Sequence, residues 1–260
     1  FTFGIIQSGG AGKMMAEWIV DGETEWDSWP VDPRHFTSYT DQDYCDAKGK
    51  EIYDNEYAIH FAHYNWPEGR DRRLSALHDA HKSANAVFGV FGGWERPVWF
   101  AQDGDNTDLE AAATYARRGP WFDAVARECA IVRDDCGVID LTGLTRYALN
   151  GPGAGAWLES VSVSKLPKVG RTRLAYFASK SGQFQAEMTV TRRGEEDFLL
   201  MTAAVAEWKD LEMLRAAIPA DAEFTLENVT EDTTIMLVTG PAARDVLAGS
   251  AVEADLEKGW

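Results

Sequence analysis

The chain has 260 residues, 45% of them hydrophobic and 12% aromatic, enough for one large domain or two small ones with an ample core. Its formal charge of −17 and sequence pI of about 4.7 argue against non-specific binding to nucleic acid or an anionic membrane, because like charges repel. No apolar run reaches the roughly 18 residues of a membrane span, and the placing of Lys13 and the acidic residues after it is not that of a signal peptide. The first twenty residues, FTFGIIQSGGAGKMMAEWIV, read as a strand, a Gly-rich turn and a helix faced by Met14, Met15, Trp18 and Ile19. Such a turn offers free N–H groups at a helix N-terminus and suits either close packing or a flat cofactor. SGGAGK is no phosphate loop: its spacing is wrong, and Met14 stands where a hydroxyl would hold magnesium. Residues 21–36 form a polar connection with two Pro and two Trp.

Residues 37–100 are rich in Tyr, Trp, His, Asp and Gly, with a helix expected near 71–79 and a strand and turn near 87–97. A helix would bring His60 to the side of His63, and His78 to that of His81. Neither pair has further ligands at a credible spacing, so both read as surface or aromatic-packed histidines and no metal site is expected. Arg70, Arg72 and Arg73 are expected to pair with carboxylates. Residues 101–118 are polar and read as a linker.

From residue 119 the pattern sharpens. Phe122, Val125, Cys129, Val132 and Cys136 make one helical stripe, with Gly137 expected as its left-handed cap. Cys45, Cys129 and Cys136 read as core thiols of a reducing compartment; on one helix the last two would stand about 10 Å apart, too far for a disulfide. Residues 138–149 read as extended chain with a bulge at Gly143, closed by Gly151-Pro152 and followed by a helix faced by Ala154, Trp157, Leu158 and Val161. The same joint returns at Gly240-Pro241 with Val246 and Leu247 behind it, which indicates an internal structural repeat. Between the joints, residues 171–177, 184–191 and 198–202 read as an antiparallel meander. A helix faced by Trp208, Leu211 and Leu214 follows, then strands near 223–229 and 234–239. Strands and helices without regular alternation give the class α+β.

Two stretches carry a resemblance. Gly-Ile-Ile, Gly-Gly-Ala-Gly-Lys, Glu-Trp-Ile-Val-Asp-Gly and Trp-Pro-Val-Asp-Pro-Arg-His-Phe, in that order, resemble the end of the flavin domain in the dimethylglycine dehydrogenase and sarcosine dehydrogenase family. The RLSALHD and GWERPVWF words resemble that family's small central domain. Val-Ile-Asp-Leu-Thr-Gly-Leu-Thr-Arg-Tyr, Gly-Gln-Phe-Gln-Ala-Glu-Met-Thr-Val-Thr and Val-Thr-Gly-Pro-Ala resemble the folate-binding domain of the glycine-cleavage T-protein.

The resemblance implies the end of an FAD domain over 1–36, a central domain over 37–100, a linker over 101–118 and the N-terminal part of a T-protein-like domain over 119–260. It implies FAD contacts at Gly4, Ile5 and Ile6, with Ser8, Gly9 and Gly10 as a close turn. It implies tetrahydrofolate contacts at Glu187, where the family often has Asp, with Asp140 and Tyr176 lining the same region. An N-methyl amine is oxidised by flavin, leaving an iminium, and tetrahydrofolate captures the carbon; the other implied partner is an electron acceptor. The chain starts without Met and stops without a closing element, so it reads as an internal piece of a longer protein that holds no catalytic residue of its own. Its expected location is the cytoplasm, or the mitochondrial matrix of a eukaryote. Two other readings stay open: a non-catalytic regulatory subunit of the same architecture, and a folate-dependent aminomethyltransferase.

Overall fold

The computed structural model describes residues 4–60, 64–179 and 181–250, in two compact units that divide at Thr40/Asp41. The first unit is built on α1 (Gly4–Val20), followed by short 3-10 turns at Trp29–Val31 and Pro33–His35. Among the described residues the expected strand and Gly-rich turn give way to helix, with Ser8, Gly9 and Gly10 inside it; residues 1–3 of the expected strand lie outside the described residues. A lone strand leaves its N–H and C=O groups unpaired, whereas a helix pairs them internally, and that outweighs the roughly 1 kcal/mol each Gly costs a helix. Lys13 bridges Glu17 at 3.2 Å and Glu25 at 2.5 Å, which folds the chain back on the helix.

The second unit opens with α2 (Gln42–Asp54), capped by the Asp41 carboxylate on Tyr44 N–H. A short α3 (His78–Ser83) leads into a hairpin of β1 (Ala86–Phe91) and β2 (Trp94–Phe100). Gly92 and Gly93, at φ 59° and 81°, make its two-residue turn, a conformation that Gly alone adopts freely. Glu95 is buried and accepts from Arg70 at 2.6 and 2.7 Å and from Asp71 N–H at 2.9 Å. α4 (Leu109–Ala112) and α5 (Phe122–Asp134) close over the hairpin around buried Val87, Trp99, Ala112 and Ala124. The expected linker is therefore tied into the unit through Leu109 and Ala112.

The packed line of α5 takes in Ala124 and, from the expected stripe, Val125, with Trp121 at the N-cap; Phe122 and Val132 of that stripe are half-buried. Cys129 is exposed, which corrects its reading as a core thiol; all three cysteines are free. The helix stops at Asp134, and Gly137 opens β3 (Gly137–Asp140) instead of capping it. The expected single run over 138–149 is two strands, with Gly143 in the turn between them, against Trp94. β3 ends there and β4 (Thr145–Asn150) enters another sheet.

α6 (Ala154–Val161), β5 (Arg171–Ala178), β6 (Phe184–Gly194), β7 (Asp197–Thr202), α7 (Glu207–Ala216), β8 (Thr225–Asn228), β9 (Met236–Thr239) and α8 (Ala243–Ala248) follow. The five-stranded antiparallel sheet has the order β5-β6-β7-β4-β8, and β3 pairs with β9 in a second sheet. This is the α+β class, with the meander as expected. Strand alternation turns Met188, Val190, Phe198, Leu200, Tyr147 and Leu149 inward, against Trp157 and Leu158 of α6 and Leu211 and Leu214 of α7. Each such buried side chain contributes about 1.5–3 kcal/mol of transfer free energy.

The two Gly-Pro joints match in geometry as well as in sequence. Gly151 and Gly240 both sit at φ 122°. A Cβ would stand 2.8 Å from Phe224 Cα at the first and 2.3 Å from Asp135 O at the second. Each carbonyl accepts the N–H of the alanine that opens the next helix, Ala154 or Ala243, at 3.1 Å.

Candidate functional site

The alternation that buries Ala186 and Met188 sends Glu187 to the opposite face of β6. The apolar neighbours in sequence suggest a desolvated carboxylate; in the fold they point away from it, and Glu187 is exposed. It opens on a cleft of about 470 Å³ whose walls include Leu144, Leu174, Phe184, Met201 and Lys209. Tyr176 is its direct cross-strand partner on β5, half-exposed, with its ring 6.3 Å from that of Phe184.

Asp140 is not with them. It ends β3, on the other sheet, and is not among the described residues lining the cleft. Its Oδ2 accepts from Ser75 Oγ at 2.8 Å and pairs with His81 Nε2 at 2.9 Å, while Oδ1 accepts from Thr142 N–H at 2.8 Å. Burial alone would raise its pKa, but these bonds from Thr142, His81 and Ser75 outweigh it and hold the carboxyl below the usual range. The structure thus brings Glu187 and Tyr176 to one face and makes Asp140 a satisfied structural carboxylate that anchors α3 to β3.

The cleft has a member that the sequence reading passed over. Asp210 on α7 is 2% exposed and lines it, accepting from Thr202 Oγ1 at 2.6 Å. Burial pushes its carboxyl above the ordinary range, against the hydrogen bond from Thr202. The signal was in the spacing: Glu207, Asp210, Leu211 and Leu214 fall at helical steps on one face, so two carboxylates share the buried stripe. Glu207 meets Arg73 at 2.8 Å and Asn228 at 2.8 Å, and Arg73 stacks on Trp94.

Arg146 lies on the same face as the cleft-lining Met201, its direct cross-strand partner. It is 1% exposed and donates to the carbonyls of Thr142, Leu144, Thr230 and Thr233, and burial lowers its pKa. Its bond to Leu144 fixes one wall. Chemically the cleft offers an exposed carboxylate acceptor at Glu187, a buried carboxyl at Asp210 and apolar walls suited to a flat ring.

The expected flavin contacts lie on α1, in the other unit. Gly4, Ile5 and Ile6 belong to its first turn, whose N–H groups lack helical acceptors. Ser8, Gly9 and Gly10 do not form a close turn; Ser8 Oγ bonds Ile5 O at 2.8 Å. Of the histidine pairs, His78 packs on Phe88 and His81 on Phe100, His60 on Tyr64 and Trp66, and His63 lies outside the described residues.

Residues 77–259 match the GCVT N-terminal domain, and residues 21–75 match the FAD dependent oxidoreductase central domain. Mitochondrial dimethylglycine dehydrogenase of Mus musculus is 32% identical over 95% of this chain and 28% of its own length. Mitochondrial sarcosine dehydrogenase of Homo sapiens is 28% identical over 97% of this chain and 32% of its own length. The chain therefore spans about a third or less of the length of these curated relatives. Glycine cleavage system aminomethyltransferase T from Bartonella henselae shares the fold, with a TM-score of 0.56 at 22% identity over 70% of this chain and 44% of that one. The chain belongs to the GCVT N-terminal domain family, and its relatives along nearly its whole length include dimethylglycine and sarcosine dehydrogenases.

Proposed function

We propose that the chain is part of a flavin-dependent N-methyl amine dehydrogenase, acting on dimethylglycine or sarcosine, that passes the one-carbon unit to tetrahydrofolate. The observation that carries this reading is the order of the two matched families along one chain, 95% of which aligns with dimethylglycine dehydrogenase. In this reading residues 1–36 close the FAD domain, 37–100 form the central domain, 101–118 connect, and 119–260 begin the folate domain. The location is the cytoplasm of a bacterium or, in a eukaryote, the mitochondrial matrix.

When bound, flavin takes a hydride equivalent from the amine and tetrahydrofolate takes up the carbon. The first-turn amides of Gly4, Ile5 and Ile6 would meet FAD, and the open space around Gly9 and Gly10 on the same helix leaves room beside Ser8 for a flat ring. Glu187 would accept an N–H of the folate, with Tyr176 beside it on the same face. Asp140 would act at one remove, by holding Thr142 N–H at the start of the turn that carries Leu144 into the cleft. An electron acceptor completes the cycle.

The test is the flavin spectrum of the purified full-length protein. A flavin band that bleaches on adding dimethylglycine is expected, and a folded protein without flavin overturns the reading. In the same protein Glu187→Ala weakens folate binding about tenfold, as loss of a hydrogen bond to a charged group does, and leaves amine oxidation nearly intact. Unchanged folate affinity removes Glu187 from the site.

A further inference from the structure

A second and larger cleft, of about 670 Å³, lies against the β1–β2 hairpin and is bounded by Tyr64, Phe91, Trp121 and Val125. That volume falls in the range of small-molecule sites, roughly 300–1,000 Å³. Its polar groups come from β2. The hairpin register pairs Gly89 with Arg96, Phe88 with Pro97 and Val87 with Trp99, so Val98 is the extra residue of a bulge. The bulge reverses the alternation of β2 and turns Arg96 and Trp99, three residues apart, to the same side. Gly89, opposite Arg96, adds no side chain and keeps that side open.

Arg96 has no ion pair among the described residues, although its neighbours Arg70 and Arg73 are both paired; its guanidinium lies 5.7 Å from the Phe91 ring centroid. The Trp99 side chain is 5% exposed, and its Nε1–H is buried without an acceptor. None of the described lining residues is acidic, in a chain of net charge −17. A guanidinium without an ion pair, aromatic walls and no carboxylate among the described lining residues complement a flat ring that carries an anionic oxygen pair.

We propose that this cleft binds a planar aromatic carboxylate, its ring between the aromatic walls and its carboxylate on Arg96. The chemistry is that of a free aromatic acid, in which the carboxylate is joined directly to the ring. The site itself does not depend on the flavin and folate reading above.

The experiment is calorimetric titration of the full-length protein with 4-aminobenzoate, and with benzoate as the simplest aromatic acid. Saturable binding of at least one is expected, weakened about tenfold or more in Arg96→Gln, as loss of one charge-assisted hydrogen bond requires. No saturable binding to the wild-type protein, or equal affinity in a folded Arg96→Gln variant, overturns the proposal.

Discussion

The five-stranded sheet and the hairpin region of the same unit are held by different physics. The sheet's inner face is mainly apolar: Val190, Phe198, Leu200 and Leu149 are completely buried, with two helices over them. The hairpin region buries only Val87, Trp99, Ala112 and Ala124 as its apolar cluster. It is fastened by charge: Arg70 on Glu95, Arg73 on Glu207, and Ser75 and His81 on Asp140. An apolar core loses stability in proportion to the atoms removed, whereas a buried ion pair fails abruptly when one partner goes, because the other is left charged and unpaired.

The contrast can be broken or sharpened in order of expected effect. Phe198→Ala destabilises the protein by about 3–5 kcal/mol in urea unfolding; a loss below about 1 kcal/mol would place the sheet's stability elsewhere. Glu207→Leu costs about 3 kcal/mol, because Arg73 loses its buried counter-ion, and its pair with Glu231 at 3.2 Å is with an exposed carboxylate. Adding Arg73→Met recovers most of that loss, and a double variant as unstable as the single one would show that packing, not charge, holds the seam.

Acid comes next. Glu95 is pushed up by burial but held below its ordinary pKa by Arg70 and the Asp71 N–H, and Asp140 is held low as described. A carboxyl depressed in the fold stabilises above its unfolded pKa, and that contribution is lost as pH falls through the folded value. Amide exchange in β1 and β2 should therefore accelerate in acid, below about pH 4, before that of β6 and β7. Equal acceleration in both would remove the distinction. Asp210 has the opposite sign: its raised carboxyl stabilises at low pH, and that contribution is lost as pH rises through the folded value. Asp210→Asn, whose amide oxygen still accepts from Thr202, gains thermal midpoint relative to wild type at pH 7 and gains less at pH 4. This is the smallest effect, and a uniform shift at both pH values would contradict it.

What was legible in the sequence follows the same division. Period-two alternation and tight Gly turns gave the meander, because one face of those strands is apolar and the other is not. The paired Gly-Pro joints were readable because only Gly tolerates φ 122° with backbone packed against its α-carbon. α2 was missed because its sequence carries no apolar stripe, only Glu51 being buried. α1 was misread because its glycines suggested a turn that no tertiary contact enforces. Glu187 was found by resemblance, and the sequence left it either folate-facing or salt-bridged and solvent-facing; the fold exposes it, since adjacent residues on a strand face opposite ways. Asp210 was legible by helical spacing and overlooked because a carboxylate on an apolar stripe runs against the usual pattern.

Arg70 and Arg73 belong to the stretch matched by one family, 21–75, while Glu95 and Glu207 belong to the stretch matched by the other, 77–259. The border between two recognisable sequence histories is therefore stitched across by two buried ion pairs. Splitting the gene at residue 76 would leave the downstream product with two interior carboxylates stripped of their counter-ions. A truncation that respects the fold starts ahead of α2, at the Thr40/Asp41 division. Inherited modules and folding units in this protein are different partitions of the same chain.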